Sequence, residues 1–261
     1  MSPIDPILPD DAKNNLPPSV VLSIEHLHKT FPPERQWFKT IHPEKPVLID
    51  FSMQAREGEI VGVVGPNGCG KTTLFKMIAG LETPEQGTIQ IMGQDPLNHI
   101  EFIRESVFLF HDKMGIGPLD RGREHLYTFG LMRGLDMTQI IELLNQAQSI
   151  LDFESYWTRP AKTYSKGQMM RLALARMYLM KKPKLLMFDE PTNGLDFESS
   201  TRFVKLLQTL AQQKHTILIA SHIVYDLKRI AHRLVGISEG KALNHEQVLS
   251  MIQSIEHEIT A

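Results

Sequence analysis

The chain has 261 residues, of which 42% are hydrophobic and 22% are charged, and its formal net charge is −2 at pH 7. This length allows one large domain or two small ones, and the near-neutral charge excludes the basic surface of a non-specific nucleic-acid binder. The single cysteine excludes an internal disulfide and is typical of proteins from the reducing cytosol.

Two features bear on targeting and membranes. Residues 1–18 are polar and proline-rich, so we interpret them as a flexible tail without a signal peptide, ahead of one domain at residues 19–261. Apolar runs stay well below the length of about 18 residues that a membrane-spanning helix needs. We therefore expect that the chain does not cross a membrane by itself.

Short apolar runs bounded by turn residues predict β-strands along most of the chain. They lie at Val20–Ile24, Val47–Phe51, Glu59–Val64, Thr88–Met92, Val107–Phe110, Leu185–Phe188, Thr216–Ala220 and Arg233–Ser238. Helix-like patterns lie at Thr72–Ala79, Gly167–Met180, Phe197–Gln213 and Val224–Ala231. The alternation predicts an α/β fold with a mostly parallel sheet.

Other regions depart from this alternation. The early strands at residues 20–64 and 88–92 predict an antiparallel β lobe beside the core. Residues 115–163 are rich in helix formers, so we expect a helical subdomain at about residues 112–166, inserted in the core. The polar, proline-flanked segment at 32–46 predicts an exposed loop.

The most informative motif is a complete G-x-x-x-x-G-K-T phosphate-binding loop, which predicts a P-loop NTPase core. Its glycines let backbone N–H groups turn inward around phosphate oxygens, and the following helix adds its positive end. Lys71 is expected to reach the β- and γ-phosphates, and the Thr72 hydroxyl to bind Mg²⁺. The predicted nucleotide-binding residues here are Gly65, Pro66, Asn67, Gly68, Cys69, Gly70, Lys71, Thr72 and Thr73.

A second motif is the apolar strand at 185–188 that ends in two carboxylates, Asp189 and Glu190. In a phosphate-loop enzyme, an Asp at such a strand end holds Mg²⁺. The Glu beside it can polarise the attacking water as a general base. We therefore predict a metal role for Asp189 and a catalytic role for Glu190.

Three more motifs follow at characteristic spacings. Tyr164–Gln168 precedes a helix-like stretch, Asn193–Asp196 follows the two carboxylates, and Ser221-His222 follows the run at 216–220. With the two motifs above, this ordered set resembles the nucleotide-binding subunit of ATP-binding-cassette (ABC) transporters over about residues 20–245. Tyr164–Gly167 and Arg121–Leu126 look more like exporter subunits than like subunits of nutrient importers.

The resemblance implies a second group of nucleotide contacts. Tyr164–Gln168 corresponds to the family signature, usually Leu-Ser-Gly-Gly-Gln, which caps the γ-phosphate bound by the partner subunit. Lys166 departs from that pattern: it adds a positive charge near the partner's phosphates or points to water, and we favour water. The candidate nucleotide-binding residues implied here are Ser165, Gly167, Gln168 and Asp196.

The resemblance also bears on three single positions. His222 corresponds to the family's switch histidine, which contacts the γ-phosphate, so His222 joins Glu190 and Lys71 as a catalytic candidate. Phe31 is the nearest match to the aromatic residue that stacks on adenine, and Trp37 and Phe38 compete for that role. Where the family places a Mg²⁺-contacting glutamine, this chain has His111 and Asp112 instead. Asp112 could ligate Mg²⁺, and His111 could do so only when neutral, so either residue could replace the glutamine.

Taken together, the resemblance implies an ATPase whose cofactors are ATP and Mg²⁺. Two copies, identical in the simplest case, would close head to tail, and hydrolysis would drive separate transmembrane permease subunits. The protein would then sit at the cytoplasmic face of the membrane, bound to its permease through the surface around residues 110–165. No nucleic acid is expected as a partner.

Two alternatives come from other functional classes. A soluble ABC ATPase in nucleic-acid repair or translation usually carries long coiled coils or two cassettes, and this chain has one cassette and no sustained heptads. A nucleotide-dependent regulator without turnover would not need a general base, and Glu190 and His222 argue against it.

Replacing the residue at the glutamine position tests its metal role. Because Asp112 can supply a carboxylate oxygen to Mg²⁺, Asp112→Ala should lower Mg²⁺-dependent ATP turnover, measured as phosphate release against the Mg²⁺ concentration. Unchanged turnover across the titration would reject the assignment.

Overall fold

The computed structural model describes residues 19–32, 34–36, 39–42, 45–111, 116–180, 183–221, 224–243 and 245–260. Its strands are β1 (Val20–Phe31), β2 (Glu34–Gln36), β3 (Lys39–His42), β4 (Lys45–Arg56), β5 (Ile60–Val64), β6 (Gln86–Ile91), β7 (Val107–Phe110), β8 (Leu185–Asp189), β9 (Thr216–Ser221), β10 (Arg233–Ser238) and β11 (Lys241–Leu243). Its α-helices are α1 (Lys71–Ile78), α2 (Ile100–Ser106), α3 (Gly122–Met132), α4 (Met137–Leu151), α5 (Lys166–Tyr178), α6 (Phe197–Gln212), α7 (Val224–Ile230) and α8 (His245–Thr260).

The larger sheet positions the site. Within the described residues it has six strands in the order β11-β10-β5-β9-β8-β7, and all neighbours are parallel except the β10–β11 pair. Every residue of β5, β8 and β9 is buried, as expected for parallel strands covered on both faces. Parallel strands end at one edge, so Val64, Asp189 and Ser221 meet there.

A second sheet forms the predicted antiparallel lobe. Its order is β4-β1-β6, and β1 pairs antiparallel with both neighbours. Its apolar side chains join those of α1 and one face of the larger sheet in a single buried cluster that includes Leu22, Phe51, Leu74 and Ile89. This packing places the end of β1 next to the loop that precedes α1.

The predicted helical insertion is confirmed: α3, α4 and α5 all lie between β7 and β8. Helix α4 starts with a capping box in which Asp136 accepts from the Gln139 N–H at 2.9 Å and Gln139 accepts from the Asp136 N–H at 3.0 Å. Its buried residues Ile140, Leu144, Ala147 and Leu151 follow the helical period and pack into the larger core cluster. The predicted limits of this subdomain, residues 112–166, stay a proposal.

The segment at 32–46 differs from the predicted exposed loop. Strands β2 and β3 pair as an antiparallel hairpin, and β4 already starts at Lys45. The prolines and polar residues of this segment concealed the strands because neither strand is long enough to show an alternating pattern. Helices α2 and α8 and strand β11 also escaped prediction.

Among the helices that the structure describes, none combines the length and the apolar character required to span a bilayer.

Candidate active site

The phosphate loop connects β5 to α1, and its backbone requires glycine. Gly68 and Gly70 have φ angles of +77° and +117°, in the region that side chains with a Cβ rarely adopt. A Cβ on Gly65 would lie 2.4 Å from the Ile237 carbonyl oxygen, and one on Gly70 would lie 2.8 Å from the Val47 carbonyl oxygen. The loop therefore follows the tight course that the motif predicts.

The first turn of α1 is open to an anion. Its N-cap is Gly70, which has no side chain to bond the first N–H groups, and no acidic residue stands in the first turn. These N–H groups and the helix dipole favour negative charge at this end of the helix. The N-terminus of α1 and the loop before it thus form a site with the electrostatics that a phosphate chain requires.

Lys71 supplies the cation of this site. Its side chain is only 6% exposed, and Nζ donates to the carbonyl oxygens of Gly65 at 2.8 Å and Pro66 at 3.3 Å. Nζ also lies 3.5 Å from Oε1 of Glu190. The ammonium group is thereby held between the loop and the second carboxylate, where a bound phosphate can replace part of this shell.

Thr72 and Asp189 form an oxygen pair at the floor of the site. The Thr72 hydroxyl donates to Oδ2 of Asp189 at 2.6 Å, and Asp189 is 7% exposed. Oxygen ligands are the ones that Mg²⁺ prefers, and Mg²⁺ usually takes one or two from protein and the rest from phosphate and water. The described residues hold no cluster of three or more His, Cys, Asp or Glu that could bind a metal. The pair therefore fits Mg²⁺ that shares its ligands with a nucleotide.

Glu190 stands directly after β8 in a left-handed conformation. Its φ is +50°, which is unfavourable for a residue with a Cβ, and its N–H donates to the Ala220 carbonyl oxygen at 2.9 Å. The bond to β9 holds the backbone in this conformation, and the side chain lines the cleft above Lys71. Strain of this kind is typical of functional positions.

These groups line one cleft of about 290 Å³. Phe31, at the end of β1, and its register partner Lys45 on β4 form its outer part. Gly65, Pro66 and Cys69 belong to the loop behind this lining, and Cys69 is 8% exposed. The predicted residues that the cleft brings together are Phe31, Asn67, Gly68, Gly70, Lys71, Thr72, Thr73, Asp189 and Glu190.

Sequence reasoning missed two residues of the cleft, Lys45 and Val47. The Lys45 ammonium donates to the Gly68 carbonyl oxygen at 3.2 Å, so it lies directly over the phosphate loop. Neither residue belongs to a motif, and only the register of β4 against β1 brings them to the cleft. No signal in the sequence alone could have identified them.

The signature residues lie apart from this cleft and cap helices. Ser165 caps α5: its Oγ accepts from the Gln168 N–H at 3.2 Å, and Gln168 Oε1 accepts from the Ser165 N–H at 3.0 Å. Asp196 caps α6 by accepting from the Ser199 N–H at 2.8 Å, and bonds from the Ser199 backbone and hydroxyl lower the pKa of its carboxyl. Ser165, Gly167, Gln168 and Asp196 therefore do not line the cleft of their own chain.

Tyr164 and Lys166 stand where the family signature usually has Leu and Gly, and both side chains contact neighbouring segments. The Tyr164 hydroxyl accepts from the Gly122 N–H at 3.0 Å and donates to the Arg159 carbonyl oxygen at 2.8 Å, which ties the start of α3 to α5. The exposed Lys166 lies along Gly194, where an added Cβ would be 2.5 Å from Nζ. Lys166 is thus exposed to water, as expected, while its side chain lies along the turn that follows Glu190.

Some of the predicted site residues lie outside the part of the chain that the structure describes. His222, Asp112, Trp37 and Phe38 lie outside the described residues, so their assignments stay predictions. His111 follows β7 and is half-buried.

The comparisons with known proteins identify the family. The family model described as "ABC transporter" matches residues 48–193. The ABC transporter ATP-binding protein NatA of Bacillus subtilis (strain 168) is 32% identical over 206 residues, which cover 78% of this chain and 83% of NatA. The chain belongs to the ABC transporter family. The family, the α/β fold and the ATPase activity expected from the sequence are confirmed.

Two further proteins are similar to this ABC ATPase. The Nod factor export ATP-binding protein I of Paraburkholderia xenovorans (strain LB400) is 31% identical over 216 residues, which cover 83% of this chain and 71% of that protein. A dimeric, post-hydrolysis structure of the ATP-binding cassette MJ0796 bound to ADP and Pi matches with a TM-score of 0.74 at 19% identity, covering 85% of this chain and 97% of that one. None of these proteins is a repair or translation factor.

Modification of Cys69 tests how tightly the loop is packed. Its Sγ lies 2.6 Å from where a Cβ on Gly65 would stand, so an added carbamidomethyl group must displace the loop. Burial raises the pKa of the Cys69 thiol, so alkylation by iodoacetamide should be slow at neutral pH and should accelerate as the pH rises. We expect modified protein to lose ATP binding, and bound ATP to protect the thiol.

Cys69→Ala is the matched control for this experiment, because it removes the reactive group and creates no bulk. The variant should bind ATP before and after treatment. Full modification of the wild type with undiminished ATP binding would contradict the packing seen in the loop.

Proposed function

We propose that this ABC ATPase uses Mg²⁺ and ATP to close a head-to-tail pair of subunits, and that the pair drives separate membrane-embedded permease subunits. One observation carries the proposal. The cleft of a single chain has its phosphate loop, Asp189 and Glu190 in place, while Ser165, Gly167 and Gln168 lie outside its lining. A second subunit can bring those residues to the open side of the cleft.

Within one subunit, the loop N–H groups and Lys71 bind the phosphate chain, and release of Lys71 from the Gly65 and Pro66 carbonyls orients its ammonium toward the phosphates. Thr72 and Asp189 would hold Mg²⁺, which would neutralise charge on the phosphate oxygens. The carboxylate of Glu190 accepts a proton from the attacking water. Phe31 stacks on the base at the outer end of the cleft.

Across the pair, the signature residues of one subunit cover the phosphates of the other. The N-terminus of α5 offers the Gly167 N–H and the Ser165 hydroxyl to an anion, and Gln168 holds the cap that fixes Ser165. Asp196 stabilises the neighbouring start of α6. His222 would contact the γ-phosphate, and Asp112 would supply an oxygen ligand to Mg²⁺, as the family resemblance implies. Closure excludes water from the reaction, and hydrolysis reopens the pair.

The partners and location follow from the same assignment. Residues around 110–165, which include α3 and α4, are the proposed contact with the permease, and contact with it places the protein at the cytoplasmic face of the membrane. Residues 19–261 are the proposed extent of the ATPase domain. The exporter-type assignment is supported by the similarity to a Nod factor export protein.

The general-base assignment gives a direct test. Glu190→Gln keeps the shape of the side chain and removes the proton acceptor, so ATP hydrolysis should fall by roughly 10²–10⁴-fold while ATP binding persists. Light scattering should then detect an ATP-dependent dimer that accumulates because it cannot reopen. Glu101→Gln, at an exposed position on α2, is the control and should behave like the wild type.

Two results would contradict the proposal. Wild-type turnover in Glu190→Gln would refute the base assignment. A variant that binds ATP and does not hydrolyse it, but stays monomeric at all protein concentrations, would refute closure of a pair.

A further inference from the structure

Phe31 borders the cleft but has little support from its own strand. It is the last residue of β1 and is 37% exposed. A ring that stacks on a base contributes most when its orientation is fixed before the ligand arrives, because less conformational freedom is then lost on binding.

Lys29 lies against the ring. Its ammonium is 5.3 Å from the centroid of Phe31, within the range of a cation–π contact. Phe31 lines the cleft and Lys29 does not, so the ammonium contacts the ring without being part of the cleft lining. The ring itself stays accessible from the cleft, where a base can stack on it.

The ammonium itself is fixed by two other groups. It lies 2.7 Å from Oε1 of Glu82 and donates to the carbonyl oxygen of Thr83 at 2.9 Å. The Lys29 side chain is only 12% exposed, so water screens these contacts less than it screens an ordinary surface pair. Lys29 therefore holds one position instead of sampling many.

The same contacts connect the ring to the phosphate loop. Glu82 and Thr83 follow the C-terminal end of α1, and the Glu85 N–H donates to the His28 carbonyl oxygen at 2.9 Å. Helix α1 begins at Lys71, inside the phosphate site. This series of contacts, from Phe31 through Lys29 and Glu82 to α1, thus sets the distance between the ring and the phosphate-binding groups.

We infer that Lys29 is a positioning residue for the nucleobase: it holds the Phe31 ring as a preformed stacking surface at a fixed distance from the phosphate loop. The inference rests on the proposed role of Phe31 in binding adenine. It predicts that Lys29 contributes to recognition of the base and not to recognition of the triphosphate.

The test compares ATP with inorganic tripolyphosphate, both with Mg²⁺, by calorimetry. Lys29→Met keeps the apolar stem and removes the charge, so ATP should bind about five- to tenfold more weakly, in line with a partly buried cation–π contact. Tripolyphosphate affinity should change by less than about twofold, because it has no base to stack. Lys29→Arg should retain most of the ATP affinity, because a guanidinium also stacks on an aromatic ring.

Two controls separate positioning from general stability. Lys76→Met removes an exposed lysine on α1 outside the cleft lining and should change neither affinity. In a double-mutant cycle, Lys29→Met should cause no further loss of ATP affinity once Phe31→Ala has removed the ring. Unfolding temperatures are measured for every variant.

The outcomes are distinguishable. Unchanged ATP affinity in Lys29→Met would overturn the inference and leave the proposed function intact. Equal weakening of ATP and tripolyphosphate, with a lowered unfolding temperature, would also overturn it by showing a purely structural role. A wild type that does not bind Mg·ATP would overturn the proposed function itself.

Discussion

The contact between Lys71 and the backbone of the phosphate loop is the constraint on which the site depends. A buried ammonium is stable only if acceptors surround it, and here the Gly65 and Pro66 carbonyls and the Glu190 carboxylate supply them. These acceptors come from the ends of two strands, β5 and β8, that are separated by β9. The parallel sheet therefore fixes Lys71, the proposed phosphate-binding cation, and Glu190, the proposed general base, relative to each other.

The local motifs could be read from the sequence because each is short and continuous. A strand, a glycine loop and a helix start form the phosphate site within about a dozen neighbouring residues, and Asp189 and Glu190 are adjacent in the chain. The buried parallel strands of the larger sheet were predictable because such strands are uninterrupted apolar runs. The left-handed conformation of Glu190 was not predictable, because it is accompanied by a bond to Ala220, a residue distant in sequence.

The parts that escaped prediction depend on contacts between segments distant in sequence. Lys45 reaches the cleft through the register of β4 on β1, and Lys29 acts through residues that follow α1. The hairpin of β2 and β3 has strands too short to show a period. The signature residues differ from these, because their motif can be recognised in the sequence. Their proposed ligand, however, is bound by another copy of the chain.

The N-termini of α1, α5 and α6 differ in how they are capped, and the difference matches their proposed roles in ligand binding and subunit pairing. Ser165 accepts from the Gln168 N–H and Asp196 accepts from the Ser199 N–H, so the starts of α5 and α6 are each stabilised by a cap before a second subunit arrives. The phosphate site is different, because Gly70 leaves the first turn of α1 without a side-chain cap. The molecule thus keeps one helix terminus open to the ligand while it stabilises the termini proposed to meet a partner.

Calorimetric titration of the purified chain with Mg·ATP, with Lys71→Met measured beside the wild type, shows whether the Lys71 ammonium and the loop hold a nucleotide. We expect stoichiometric binding of one nucleotide per chain in the wild type, and strongly weakened binding in the variant, which lacks the ammonium but keeps the loop glycines. Absence of binding by the folded wild-type chain, or equal affinity of the two proteins, would contradict this expectation.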